Sequence, residues 1–129
     1  MADTALAYRT VTPYLVVPDG DAELQFLAAA FGATQQLCQR NERNAIMHAE
    51  MRIGDSLVMV GQAGEQWKAQ AASLYLWLPD VDAVYAKALA AGATSLREPQ
   101  DMPYGHRTAG VTDPCGIQWW IGWPVSNAA

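Results

Sequence analysis

The sequence predicts an α+β fold, two tandem βαβββ modules forming a cupped mixed sheet. Three observations predict it. Residues 12–34, TPYLVVPDGDAELQFLAAAFGAT, recur as residues 73–94, SLYLWLPDVDAVYAKALAAGAT. Each copy runs from a strand-like Tyr-Leu segment through Pro-Asp into a helix-like segment, and each stops at Gly-Ala-Thr. The module ends also match. GDSLVMVG at residues 54–61 parallels PCGIQWWIG at residues 114–122, with one extra residue in the turn. Between helix and end, each half has room for three short strands.

The elements follow in order. Residues 11–17 are β-rich and bounded by Pro18-Asp19. Asp19 or Asp21 can cap the first helix by accepting a bond from its free N–H groups. Leu24, Phe26, Leu27, Ala30 and Phe31 fall on one stripe, and Gly32 ends the helix as a left-handed cap would. Strands are expected over residues 34–40, 45–52 and 56–61, joined by the hairpin turns NERN and GD. In the second half Asp80 is the expected cap. Val81, Val84, Tyr85 and Ala88 form the apolar stripe, and Gly92 is the stop. Strands are expected over residues 94–97, 107–112 and 117–123, with EPQDMPYGH as a long loop between the first two. The boundaries are module one at 11–62, a linker at 63–72 and module two at 73–124, within one domain of residues 1–129. The turns NERN and GEQWKAQ read as solvated.

Composition narrows the function. About half of the 129 residues are apolar, which suits one globular core. The net charge of -5 makes nucleic acid a poor partner, because phosphates call for a basic face. No apolar run approaches a membrane span, and no secretory signal opens the chain, so a cytoplasmic location is expected. Cys38 and Cys115 form no CxxC and are read as reduced thiols. There is no GxSxG nucleophile elbow and no phosphate-cradling glycine loop.

A tandem βαβββ pair with these joints resembles the vicinal oxygen chelate superfamily of glyoxalases, extradiol dioxygenases, fosfomycin-resistance enzymes and bleomycin-resistance proteins. TPYLVVPDGDAELQFLAAAFGA, HAEMRIGDSLVM and MPYGHRTAGVTDPCGIQWWI are similar to its PhnB-like branch. The resemblance covers nearly all of residues 11–123. It implies a homodimer. In the superfamily's enzymes His, Gln or Glu on the first and last strand of each module hold a divalent metal. Those positions align here to Thr12, Met59, Ser73 and Trp120. Two hydroxyls, a thioether and an indole are not ligands for Mg, Mn or Zn. The expectation is therefore no metal and no cofactor.

Strand alternation then turns Tyr14, Met59, Tyr75, Trp77, Gln118 and Trp120 into the cup, with Tyr104 and His106 on a loop above it. Such a wall suits an aromatic or cationic small molecule. Trp119 and Trp123 face the other way, toward a helix or a subunit interface. Three readings stand. The first is a metal-free binder of the bleomycin-resistance type, sequestering a compound such as an antibiotic. The second is a glyoxalase-like lyase, isomerase or dioxygenase with a site displaced to His48, Glu50 and His106. The third is a structural module whose aromatics plug the cup.

Overall fold

The computed structural model describes residues 8–125. The chain divides into two compact units, Met1–Gln70 and Ala71–Ala129. The first contains β1 (Tyr14–Val17), α1 (Gly20–Phe31), β2 (Thr34–Arg40), β3 (Ile46–Ile53) and β4 (Ser56–Gln62). The second contains β5 (Ser73–Trp77), α2 (Val81–Ala90), β6 (Thr94–Asp101), β7 (His106–Thr112) and β8 (Gln118–Pro124). Each unit is one four-stranded mixed sheet, ordered β1-β4-β3-β2 and β5-β8-β7-β6. The first strand of each unit runs parallel to the last, and the other pairings are antiparallel. The α+β class and the twofold βαβββ order are as the repeat predicts.

Each helix covers one face of its own sheet. In the first unit Leu24, Leu27 and Ala30 are buried with Leu15, Val17, Ala49 and Val60. In the second, Val81 and Ala88 are buried with Ala109, Val111, Trp119 and Ile121. Each large apolar side chain so buried contributes about 1.5–3 kcal/mol.

The helix ends differ in chemistry. Asp19 caps α1, its Oδ1 accepting the Ala22 N–H at 3.1 Å, and the Gln62 side chain accepts the Gly20 N–H. Gly32 closes it at φ 68°. Asp80 corrects the expectation for α2. It stands at the N-terminus with φ 61° and makes no side-chain cap bond. An aspartate tolerates that left-handed turn, but its carboxylate is then aimed away from the helix's free N–H groups. The C-cap of α2 is Ala91, with Gly92 following at φ 110°.

Other boundaries shift for physical reasons. β1 begins at Tyr14, not at residue 11, although Pro13 still accepts the Met59 N–H at 2.9 Å. Proline can accept but not donate, so a full ladder starts one residue later. The expected loop at residues 98–106 is mostly strand, because β6 runs on to Asp101. A register shift between Arg97 and Gln100 absorbs Pro99, which an edge strand permits. The remaining turn is closed by the Gly105 N–H on the Met102 carbonyl, with Gly105 at φ 93°. The segment GEQWKAQ is not simply solvated. The Ala63 and Gln70 N–H groups bond the carbonyls of Val17 and Val16, and Trp67 rests edge-on against Tyr14 at 5.6 Å.

Candidate functional site

The face of each sheet turned away from its helix carries the candidate residues. In the second unit it is ordered as transverse rows. Tyr75 pairs with Trp120, Trp120 with Gly110, and Gly110 with Arg97, so these residues form one line across all the strands. Beside it runs a polar row of Ser73, Gln118, Thr112 and Thr94. On the other side run Trp77, Gly122, Thr108 and Gln100. His106, at the start of β7, pairs with Pro124.

Close approach decides which rings lie flat. A methyl group at Gly110 would meet the Trp120 ring at 2.5 Å, so only glycine lets that indole lie on the sheet. Arg97 lies over the same ring, its guanidinium carbon 5.0 Å from the centroid. The same guanidinium donates to the Thr108 hydroxyl at 2.6 Å. Its buried Nε has no hydrogen-bond acceptor among the described residues.

Farther along, Trp77 has Tyr75 stacked at 6.5 Å, His106 edge-on at 4.8 Å and Trp123 tilted at 5.4 Å. Tyr104 meets His106 edge-on at 5.2 Å. These rings are not packed away: Tyr75 is 52 %, Trp77 49 % and Tyr104 62 % exposed. Partial burial, helped by the nearby Tyr104, raises the Tyr75 phenol above its ordinary pKa, with Arg97 opposing. It therefore remains a neutral phenol at physiological pH. Gln118 presents its amide beside Ser73, with 3.5 Å between Oε1 and the hydroxyl.

One of the two expectations for the remaining tryptophans changes here. Trp123 was placed with the residues turned away from the cup, yet its ring joins Trp77 at the strand ends. Sheet twist and the partial exposure of Trp123 let the two rings meet across the last register step. Trp119 does face the helix. It is 0 % exposed, and its indole N–H donates to Asp113 at 2.8 Å. The other Asp113 oxygen accepts the Cys115 and Ile117 N–H groups, so one buried carboxylate organises the DPCG turn.

In the first unit the corresponding row is Tyr14, Met59, Glu50 and Leu37. Tyr14 lies edge-on to His48 at 5.8 Å. Glu50 is 2 % exposed and bonds His48 Nε2 at 3.0 Å. Tyr8 also donates to Glu50, and that bond raises the Tyr8 phenol above its ordinary value. His48 and Glu50 are thus together, while His106 belongs to the aromatic cluster of the second unit.

The superfamily's metal does not fit the aligned positions. Met59, in register with Tyr14 and Glu50, offers only a thioether; Glu50 bonds His48 and Tyr8 through Oε2, and its buried Oε1 has no hydrogen-bond partner among the described residues. Trp120 lies beneath a guanidinium, whose positive charge opposes a divalent cation. Ser73 offers a neutral hydroxyl beside an amide oxygen.

Arg97, Tyr8 and Trp67 are the site neighbours that sequence reasoning missed. The signal that could have found Arg97 is Gly110. A glycine inside an apolar strand marks a close approach, and here a Trp ring and its cation make it.

Two sheets of this topology and these strand faces define a class. The family model of the Glyoxalase/Bleomycin resistance protein/Dioxygenase superfamily matches residues 7–121, and the chain belongs to that superfamily. An uncharacterized protein of Mycobacterium bovis is 30 % identical over 126 residues, covering 89 % of this chain and 83 % of that protein. Among solved structures, TioX from Micromonospora sp. ML1 is 28 % identical with a TM-score of 0.77, covering 91 % of this chain and 99 % of TioX. The fosfomycin resistance protein FosX from Mesorhizobium loti shares the fold at 15 % identity and a TM-score of 0.67, covering 92 % and 93 % of the two chains. None of the helices is long and apolar enough to cross a membrane among the described residues.

Proposed function

We propose that this protein is a metal-free, PhnB-like small-molecule binder that holds an aromatic compound on the open face of its second unit. The carrying observation is the half-exposed cluster of Tyr75, Trp77, Tyr104 and His106. Exposed neighbouring rings are costly to leave in water and stack readily on a planar ligand. Their exposure also weighs against a structural module with a plugged face. Gln118 and Ser73 supply polar contacts. Met59 and Tyr14, in the first unit, form a smaller apolar wall beside His48. The working form is a homodimer, which sedimentation at micromolar concentration tests; a stable monomer removes it.

The test of binding is a calorimetric titration with a panel of planar aromatic compounds. A hit should weaken roughly threefold to tenfold in Trp77→Ala, from the loss of about 0.5–1.5 kcal/mol of stacking. A panel without any binder would sink the reading.

A second reading, a lyase or isomerase of the glyoxalase type, draws on Tyr8, Glu50 and His48. A buried carboxylate bonded to a part-exposed histidine is an arrangement suited to moving a proton. Turnover of a thiol-adduct substrate that disappears in His48→Ala would favour it over the binder.

A further inference from the structure

The rows on the second sheet say more about the ligand than its shape. We propose that Arg97 makes this face selective for aromatic acids, its guanidinium receiving a carboxylate while Tyr75 and Trp77 take the ring. This rests on the binder reading and adds the ligand's charge to it.

Of the five other arginines three are paired, while Arg43 and Arg52 have no ion pair among the described residues. Arg9, Arg40 and Arg107 each reach a carboxylate, at 3.5, 2.7 and 2.6 Å. Arg97 has no ion pair with any carboxylate among the described residues. It lies instead on Trp120, with one bond to Thr108. A guanidinium has five N–H donors and accepts nothing. One donor goes to Thr108, and the buried Nε–H has no acceptor among the described residues. The terminal N–H groups not used by Thr108 are left for an oxygen anion, the partner a guanidinium binds most strongly.

Position makes the same point. Arg97, Gly110, Trp120 and Tyr75 lie in one register line on one face. The cation and the exposed Tyr75 ring are thus held on the same surface by the sheet itself. Asp82 and Asp101 do not reach it: both are bonded by Arg107, which strand alternation places on the opposite face from Gly110. The net charge of -5 disfavours an anion only through long-range repulsion, which salt screens, whereas Arg97 acts at contact. Trp120 serves here as the shelf that orients the guanidinium, and the stacking surface is Tyr75 and Trp77.

The experiment is calorimetry with three matched probes: 2-naphthoate, its neutral amide, and the cationic 2-naphthylmethylammonium. The expected order is acid over amide over cation, with acid and amide separated by roughly tenfold, the scale of one charge-assisted contact. Arg97→Gln should weaken the acid by more than the amide and close most of the gap between them. Arg97→Lys should recover only part of it, because the planar fork is lost. Should Arg97→Gln fail to fold, the wild type still decides. Raising the salt must then weaken the acid and spare the amide. An amide or cation that binds as tightly as the acid overturns the proposal while leaving the aromatic binder standing. Failure of all three probes overturns both.

Discussion

Tyr75 lies over Gly122, so closely that a methyl group at position 122 would sit 1.9 Å from the Tyr75 hydroxyl oxygen. Tyr14 repeats the relationship over Gly61, with the same methyl 3.0 Å from its hydroxyl. In both units a tyrosine on the first strand crosses to a glycine on the last. The glycine sets the tilt of the ring, and the ring is part of the proposed ligand surface.

Gly122→Ala should therefore swing Tyr75 outward. Its cost in stability should stay within about 1 kcal/mol, because the displaced atoms end a partly exposed side chain. Affinity for an aromatic ligand should fall. Gly110→Ala is different, since Trp120 lies close on Gly110 and under Arg97. That overpacking should cost about 1–3 kcal/mol. Urea denaturation of the two variants checks the contrast.

Asp113→Ala should be among the most damaging changes. It strips acceptors from the Cys115 and Ile117 N–H groups and from the buried Trp119 indole. A loss of about 3 kcal/mol or more is expected, since each orphaned buried donor costs about 1–3 kcal/mol. A variant as stable as the parent in urea would show that the turn holds without the carboxylate.

The two helix starts should respond oppositely. Asp19→Ala removes a cap bond and should cost about 1 kcal/mol. Asp80 makes no such bond and sits at φ 61°, so Asp80→Gly should stabilise by about 0.5–1 kcal/mol. Paired thermal melts decide it, and a destabilised Asp80→Gly would contradict the account.

The Arg107 bonds hold the Asp82 carboxyl below its ordinary value of 3.8. The folded pKa is the lower one, so the contribution to stability is present above 3.8 and is lost as pH falls through the folded value. Asp82 is largely exposed and Arg107 partly so, and the effect should be small and salt-sensitive. Carboxyl NMR titration should show Asp82 returning toward 3.8 in Arg107→Gln.

Addition of Zn, Mn, Ni or Fe should leave the melting temperature unchanged, because metal bound to the folded state would raise it. An upward shift lost in His48→Ala would move the chain toward the enzyme reading.

Much of this was legible in the chain. The 12–34 and 73–94 repeat carried both modules, and Asp19 and Gly32 behave as their types suggest. Arg97 was legible only through Gly110, which marks a close approach without saying which strand supplies the cation. Simple alternation from Thr94 puts Arg97 on the opposite face, but a bulge between Ser95 and Arg97 returns it to the face of Thr94. The same bulge falls between Gln35 and Leu37. No residue type at either place announces it. Asp80 misled for another reason: a cap residue's type says nothing of the backbone angle that aims its side chain.

Trp119 has a consequence for spectroscopy. Its indole is shut from solvent and fixed to a carboxylate by its own N–H, a rigid and asymmetric setting. It should give a sharp near-ultraviolet dichroism band and resist collisional quenchers such as acrylamide. Trp67 and Trp77, 56 % and 49 % exposed, should be quenched readily. The chain thus holds an internal reference chromophore for folding alongside others that sense their surroundings.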